Sequence, residues 1–272
     1  MPKTAFEPCL PTRGTKVPAG PEWLHEIKHD GYRLIVVRDG ARVRLFTRNG
    51  HDWTKRYPLI VEAALRNRQT SFVIDGEAVL LGVDGISDFN GLHSRQHDDE
   101  VMLYAFDILA LGGDDLRRLP LHLRKTNLAR LLARRPEGIF VSEFERGEIG
   151  PDLFRQACKF GLEGMVSKRR DRPYRAGRSA DWIKVKNRSH PAIERVSSVN
   201  LVSACNVPQC TGKFGTCSEF LTLSLGKPGP RGEVGLAGPK GDARRRFHEQ
   251  RQKRLAVLYS GRFLARFNRR EK

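Results

Sequence analysis

The sequence predicts an α+β fold in which largely antiparallel sheets are flanked by helices. Between residues 23 and 188, short β-branched and aromatic runs alternate with helix-length segments that have apolar residues on one side. Asp-Gly pairs separate the first strands, and such pairs are typical of tight turns between antiparallel neighbours. Of the 272 residues, 39% are apolar, which is enough for the core of one large domain or two smaller ones.

Three strands at the start of the fold are expected to form an antiparallel meander. Asp30-Gly31 is expected to reverse the chain after the first strand, and Asp39-Gly40 after the second. Asp-Gly suits a type I′ hairpin turn, because both central residues of that turn need positive φ. The first turn places Arg33 on the return strand, facing the same cleft as Lys28. The three strands are predicted at residues 23–29, 32–38 and 41–47.

The remaining elements follow from hydrophobic periodicity. Apolar residues at helical spacing predict helices, one of which has Leu121, Leu128, Leu131 and Leu132 on one side. Short apolar or alternating runs predict strands. The helices are predicted at residues 58–67, 88–95, 121–134 and 152–160, and the strands at 71–81, 101–109, 139–143, 164–168 and 181–187.

Residues 191–272 have a different composition, with no clear core. Glycine recurs at every third position from Gly226 to Gly241, with prolines between. This composition predicts an irregular, disordered linker, and a collagen-like trimerisation stalk is the alternative. The basic tail that follows is predicted to form a helix with Leu255, Leu258 and Phe263 on one flank. Contact of this tail with nucleic acid and plain exposure to solvent are both open.

Charge and composition bound the partners and the compartment. The formal net charge of +18 at pH 7 favours a polyanionic partner such as nucleic acid. The sequence has no apolar signal core and no run near the roughly 18 apolar residues of a membrane span, so a soluble cytoplasmic protein is expected. Five scattered cysteines predict reduced thiols. A zinc site of Cys205, Cys210, Cys217 and His190 is a weak alternative, because the spacing matches no common zinc motif.

Lys28 is the candidate nucleophile, because it ends an apolar strand just before the Asp30-Gly31 turn. An amine attacks phosphorus only in its neutral form, which other cations in the same pocket would favour. An ordinary surface lysine on a hairpin is the alternative.

Two carboxylates and an aromatic residue are candidates for ligand contacts. Asp75 and Glu77 lie two residues apart on one strand and therefore project from the same face. Ribose hydroxyls or a divalent cation would satisfy them, and a salt bridge to a neighbouring arginine is the alternative. Phe106, on a later strand, is placed to stack on a flat base or to serve only as a core residue.

The last third of the predicted domain adds a candidate metal ligand and a concentration of cations. Glu163 stands between glycines at the entry to a strand, where backbone approaches a ligand closely. Lys184 and Lys186 share one face of the final strand, so both reach one phosphate and add a positive field around Lys28. A basic track that binds the phosphate backbone of nucleic acid is predicted at Arg169, Arg170, Arg172, Arg175 and Arg178. This binding is expected to weaken with salt and not to depend on base sequence.

Taken in order, these motifs resemble the nucleotidyltransferase core of ATP-dependent DNA ligases, in particular bacterial end-joining ligases of the LigD type. The resemblance covers about residues 5–195 and implies an ATP-grasp-like nucleotidyltransferase core. It therefore predicts an adenylation domain at 1–190, whereas 191–272 shows no recognisable OB-fold. The motifs are Lys28-His29-Asp30-Gly31-Tyr32-Arg33, Arg48-Asn49-Gly50, Asp75-Gly76-Glu77, Tyr104-Ala105-Phe106-Asp107, Glu163-Gly164-Met165-Val166-Ser167-Lys168 and Trp182-Ile183-Lys184-Val185-Lys186.

The resemblance also implies roles. Lys28 would attack the α-phosphorus of ATP, with Mg²⁺ or Mn²⁺ present, to form lysyl-AMP for sealing a nicked or broken DNA duplex. A monomer at the bacterial nucleoid, working with end-joining or repair proteins, is expected. The implied nucleotide contacts are Glu26 and Ile27 at the adenine edge, Arg33 and Glu77 at the ribose, Phe106 stacked on adenine, Arg48 at a phosphate or the nicked strand, and Lys184 and Lys186 at the α-phosphate; the implied metal ligands are Glu163 and Glu77.

Two other functions remain open at this point. An RNA ligase or a GTP-using capping-type enzyme would share these motifs. A non-catalytic nucleic-acid-binding remnant would be consistent with the missing OB-fold, whose absence also puts nick sealing in doubt.

Overall fold

The computed structural model describes residues 6–134 and 137–193, which form two β-sheets and flanking helices. The first sheet has the strand order β1-β11-β10-β2-β9 and the second β4-β3-β5-β6-β7, with β8 also paired to β6. The strands are β1 (Cys9–Arg13), β2 (Trp23–Ile27), β3 (Tyr32–Asp39), β4 (Arg42–Thr47), β5 (Ser71–Val79), β6 (Met102–Leu111), β7 (Asp114–Asp115), β8 (Ile139–Val141), β9 (Phe144–Arg146), β10 (Gly164–Arg169) and β11 (Gly177–Lys186). The helices are α1 (Pro58–Arg66), α2 (Phe89–Ser94), α3 (Leu121–Leu131) and α4 (Gly150–Lys159), and a 3₁₀ turn spans Gly147–Ile149.

Antiparallel pairing dominates both sheets, as the α+β prediction requires. The described parallel pairs are β1 with β11 and β6 with β8. Such sheets join neighbours through short turns, so a mostly antiparallel α+β fold is expected from closely spaced strands. The predicted fold class is confirmed.

The meander predicted for the first three strands is wrong at its first turn. β2 pairs with β10 and β9, whereas β3 pairs with β4 and β5 in the other sheet. Residues 28–31 therefore carry the chain from one sheet to the other. Gly31 allows this crossing, because a Cβ there would collide with the carbonyl oxygen of Ala78 on β5.

The second predicted turn is a hairpin, but its central residues are shifted by one position. Asp39 pairs with Arg42, so Gly40 and Ala41 form the two-residue loop. Gly40 has φ of +58°, and Ala41 is not among the described residues with positive φ. That combination fits a type II′ turn, which needs glycine at its first central position, and not the predicted type I′ turn.

Most other predicted elements are present with altered boundaries. The strand predicted at 139–143 is divided into β8 and β9, and the helix predicted at 121–134 ends at Leu131. The final strand begins at Gly177, four residues before its predicted start. Strands β1 and β7 were not predicted. The predictions for the linker, the glycine repeat, the basic tail and the zinc site fall wholly or largely outside the described residues.

Of the four apolar clusters among the described residues, three hold the layers together. One joins α1 and α3 to the second sheet, and another joins α4 to the first sheet. The cluster that includes Ile35, Val73 and Trp182 lies between the two sheets. Burial of these side chains fixes the sheets around a common cleft. Among the described residues, no helix is long and apolar enough to cross a membrane.

Candidate active site

A cavity of about 690 Å³ opens between the two sheets. Its walls come from β2, β10 and β11 on one side and from β3, β5 and β6 on the other. This volume lies within the range of small-molecule sites, which is about 300–1,000 Å³. The structure thus brings together most of the predicted nucleotide contacts. The predicted residues that line the cavity are Glu26, Ile27, Lys28, Arg33, Arg48, Glu77, Phe106, Arg178 and Lys184.

Lys28 follows directly after β2 and is held by an ion pair. Its backbone N–H donates to Gly164 O at 2.9 Å, which continues the pairing of β2 with β10. Its Nζ lies 2.6 Å from Glu163 Oε2, and Lys186 Nζ lies 3.0 Å from Glu163 Oε1. Burial opposes ionisation of Glu163, but the ammonium groups of Lys28 and Lys186 outweigh it and lower its pKa. A carboxylate thus balances the positive field that the sequence predicts around Lys28.

Glu163 owes its position to the glycine that follows it. Gly164 has φ of +148°, and a Cβ there would collide with Val185 O on β11. Any other residue would push the two strands apart at this point. The close approach brings Glu163 and Lys186 into contact at the end of the sheet, beside Lys28.

Lys184 is a further cation on the cavity wall. Burial lowers its pKa, and the nearby charges of Lys28, Lys186, Arg48 and Arg178 lower it further. Cations that lie near one another repel, which raises the free energy of the folded protein, and a bound polyanion would offset this repulsion. This part of the cavity is therefore suited to a phosphate group.

The other end of the cavity contains a buried set of charges beside an aromatic ring. Glu26 Oε2 lies 2.8 Å from Lys168 Nζ, which is also 4.1 Å from the ring centroids of Phe106 and Trp182. Burial lowers the pKa of Lys168 to about 8. Burial raises the pKa of Glu26, but Lys125 and Lys168 lower it more. The site offers a flat ligand one aromatic surface, one acceptor and one donor.

Arg33 is fixed by a closed ring of hydrogen bonds. Its Nε and Nη2 donate to Asp75 at 2.9 and 2.6 Å, and its Nη1 donates to Cys9 O at 2.5 Å. The Tyr174 hydroxyl donates to Asp75 Oδ2 at 2.7 Å and accepts from Cys9 N–H at 2.8 Å. The alternative foreseen for Asp75, a salt bridge to an arginine, is therefore confirmed. Burial opposes the charge of Arg33, but Asp75 raises the pKa of its guanidinium overall.

Glu77 faces the cavity without a partner for its carboxylate among the described residues. Burial raises its pKa to about 7, against the lowering effect of Lys28 and Arg33. Within the same part of the chain, no group of three or more His, Cys, Asp or Glu side chains could hold a metal ion. Mg²⁺ commonly needs only one or two carboxylates together with substrate phosphates. The Glu77 carboxylate faces the cavity, whereas both oxygens of Glu163 are paired with Lys28 and Lys186.

Comparison with known proteins identifies the family of this domain. The family described as "ATP dependent DNA ligase domain" matches residues 14–186. The chain belongs to this ligase family. The matched region contains Lys28, Glu77, Phe106 and Glu163 together with both sheets.

Relatives from bacteria support the assignment. The multifunctional non-homologous end joining protein LigD of Pseudomonas aeruginosa is 39% identical over 168 residues, which is 61% of this chain and 20% of that protein. A probable DNA ligase of Streptomyces coelicolor is 32% identical over 254 residues, 87% of this chain and 48% of that protein. The chain thus spans less than half of either relative, and the second alignment reaches past residue 190.

A solved structure shares the fold. A mycobacterial DNA ligase D complexed with ATP and MES superposes with a TM-score of 0.59 and 36% sequence identity. The superposition covers 66% of this chain and 60% of that one. The match supports a LigD-type adenylation fold in this member of the ligase family.

The predicted basic track lies where β10 leads into β11, only partly beside the cavity. Arg178 lines the cavity, and Arg172 and Arg175 are exposed on the connecting loop. Arg169 lies over the ring of Trp23 at 5.2 Å, and the backbone of Arg170 joins Glu22 and His122. Of the five predicted residues, Arg178 is the one that the structure places on the cavity wall.

Several residues of the site received no role from the sequence. Lys168 shares a strand face with Val166, and alternation along β10 would have placed both in the cavity. His29 stacks on Tyr104 with ring centroids 4.6 Å apart, and burial followed by Lys28 lowers its pKa to about 4. Lys125 interrupts the row of leucines on the buried side of α3. A charged residue at a core position needs a buried partner, and this could have indicated its role from the sequence.

Proposed function

We propose that this protein is an ATP-dependent DNA ligase, or its adenylation core, that forms a lysyl-AMP at Lys28 and seals nicks in DNA repair. One observation supports this proposal above the others. Lys28 Nζ stands at the end of a strand, beside a cavity of nucleotide size, and is held there by Glu163 at 2.6 Å. Phosphoryl transfer depends mainly on such positioning and on neutralisation of charge.

In the proposed first step, the Lys28 ammonium gives one proton to solvent, and the neutral Nζ forms a bond to the α-phosphorus of ATP. The bond from the α-phosphorus to the bridging oxygen breaks, pyrophosphate leaves, and the nitrogen releases its second proton to solvent. Glu163 orients the Nζ, while Lys184, Lys186 and Arg48 balance the charge of the phosphates. Fixed cations stabilise the additional negative charge of the transition state without reorganisation at the moment of reaction.

The remaining cavity residues would hold the nucleoside. Glu77 accepts from ribose hydroxyls, Arg33 contacts the ribose with its free N–H groups, and Phe106 stacks on adenine, with Ile27 beside the base. Glu26, buried next to Lys168, lies at the edge of the base. Each of these roles uses a side chain that lines the same cavity.

A divalent cation, Mg²⁺ or Mn²⁺, completes the proposed site. Glu77 and Glu163 are its proposed protein ligands, since both carboxylates lie near Lys28. When bound, the ion supplies charge neutralisation at the α-phosphate.

We further propose that the AMP passes to a DNA 5′-phosphate, which the 3′-hydroxyl then attacks with release of AMP. Arg169, Arg170, Arg172, Arg175 and Arg178 would contact the phosphate backbone of a nicked or broken duplex. The charge of +18 supports binding to DNA, and we propose a monomer at the bacterial nucleoid, in the cytoplasm. Because the relative from P. aeruginosa is a non-homologous end joining protein, end-joining or repair proteins are proposed as partners.

Incubation of the full chain with α-labelled ATP and magnesium tests the first step. We expect covalent label on the wild type that survives alkali but is released by acid, as the P–N bond of a lysyl phosphoramidate is, and none on Lys28→Ala. Absence of label from both ATP and GTP would reject the enzymatic proposal. Label from GTP alone would favour a capping-type enzyme, and a nicked duplex with a 5′-phosphate then tests sealing.

A further inference from the structure

Lys125 is a buried charge that does not line the nucleotide cavity. It lies on α3 with 2% of its side chain exposed, and its Nζ is 2.7 Å from Glu26 Oε1. The ammonium also lies 4.9 Å from the ring centroid of Phe144 on β9. A lysine is rarely buried without a specific partner, and the partner here is a carboxylate of the cavity wall.

The two oxygens of Glu26 are divided between two lysines. Lys125 lies next to Oε1, and Lys168 lies next to Oε2 at 2.8 Å. Lys168 lines the cavity and touches Phe106, whereas Lys125 approaches from outside. Glu26 Oε1 and Lys125 Nζ are both buried and have no partner of hydrogen-bond geometry among the described residues, so their ion pair is the contact that restrains the carboxylate from behind.

We propose that Lys125 is a positioning residue that sets nucleobase selectivity, because it locks Glu26 as a fixed acceptor beside the donor Lys168. This inference rests on the proposed nucleotide function. At position 6 adenine presents an amino donor and guanine a carbonyl acceptor, so a fixed acceptor and donor distinguish the two bases. A Glu26 carboxylate that is free to swing along the edge of the base could instead accept from the N1–H and 2-amino donors of guanine, and the distinction would weaken.

A purely structural clamp is the competing explanation, since Lys125 also ties α3 to β2. The two explanations predict different effects when Lys125 is removed. Loss of a clamp lowers stability and affects all nucleotides alike. Loss of a positioning residue changes the ratio between nucleotides, and only while Glu26 is a carboxylate.

The test compares initial labelling rates of the full chain with α-labelled ATP and GTP. We expect Lys125→Gln to lower the ATP-to-GTP rate ratio by about 10- to 100-fold, the range typical of residues that orient a ligand-contacting group. Lys168 would also lose a like-charged neighbour, so the alkaline limb of the ATP pH profile should move to higher pH. Arg38→Met is the matched control, because Arg38 is buried, bonds backbone carbonyls near α1 and does not line the cavity.

A double-mutant cycle keeps the proposal testable if Lys125→Gln folds poorly. The double variant with Glu26→Gln and Lys125→Gln removes both charges of this ion pair and leaves Lys168 without its carboxylate, just as Glu26→Gln alone does. Its rate ratio should therefore equal that of Glu26→Gln alone. A further change in ratio would overturn the action through Glu26. An unchanged ratio in Lys125→Gln, with a stability loss like that of Arg38→Met, would overturn selectivity but leave the ligase proposal intact. Absence of label on the wild type would instead reject the proposed function.

Discussion

The hydroxyl of Tyr174 should contribute more to the free energy of unfolding than a buried tyrosine hydroxyl that makes no hydrogen bond. It donates to Asp75 at 2.7 Å and accepts from the backbone of Cys9 at 2.8 Å. Tyr174→Phe removes a hydrogen bond to a charged group, worth about 1.5–3 kcal/mol, and leaves the Cys9 N–H unpaired at about 1–3 kcal/mol. Because Asp75 keeps both bonds from Arg33, we expect a loss near the low end of the sum, about 3 kcal/mol.

Tyr57 provides the matched control. It is 0% exposed, yet its hydroxyl has no hydrogen-bond partner among the described residues. Tyr57→Phe deletes the same atom from an equally buried ring but breaks no bond. An unsatisfied buried polar group costs about 1–3 kcal/mol, so this variant should be neutral or more stable than the wild type.

Urea unfolding of the full chain at pH 7, followed by circular dichroism, measures both changes. With slopes of about 1–3 kcal/mol per molar urea, a loss of about 3 kcal/mol shifts the midpoint by about 1 M or more. Equal losses in the two variants, or a larger loss in Tyr57→Phe, would refute the reasoning. Such a result would mean that the ring of hydrogen bonds around Arg33 does not stabilise the fold.

Three further outcomes are expected. Burial raises the pKa of Glu77 to about 7 from an ordinary 4.5, so the folded state binds this proton more tightly than the unfolded state does. The protein therefore loses stability as the pH rises between these two values. In urea unfolding, Glu77→Gln should have a free energy of unfolding about 1–3 kcal/mol above that of the wild type at pH 8 and little different at pH 4. Glu163→Gln should lower the rate of ATP labelling by about 10- to 100-fold, and full recovery in excess Mg²⁺ or Mn²⁺ would contradict its role. Replacing Arg172 and Arg175 by Gln should reduce the slope of log affinity against log salt by about 1.8 on a nicked duplex, measured by anisotropy, whereas Arg130→Gln should not.

The sequence predicted strands and helices more reliably than it predicted which strands pair. The Asp30-Gly31 and Asp39-Gly40 signals are alike, yet only the second joins paired strands. A turn signal reports that the chain changes direction, whereas pairing depends on strands far away in sequence. β3 has β4 and β5 on its two edges, so no edge of β3 is open to β2. β2 pairs instead with β10, more than a hundred residues away in sequence.

Short edge strands escaped prediction for a related reason. β1 contains Pro11 and pairs in parallel with β11, with an irregular register between Pro11 and Thr12. Proline lacks a donor and is confined to edges and bulges, so it argues against a strand when the sheet is unknown. β1 nevertheless supplies Cys9 O to Arg33, so part of the site depended on an element that the sequence did not reveal.

The same limit applies to the roles of charged residues, because each role depends on a distant partner. Lys28 and Glu163 are 135 residues apart, and Asp75 and Tyr174 are 99 apart. A motif identifies the residue type, but only the fold determines which donors are already in use. Arg33 has five N–H groups, and three of them donate to Asp75 and Cys9, so two remain for a ligand. Its guanidinium is thus oriented before a nucleotide binds, and the ring of Cys9, Asp75 and Tyr174 makes Arg33 a rigid contact for a ribose.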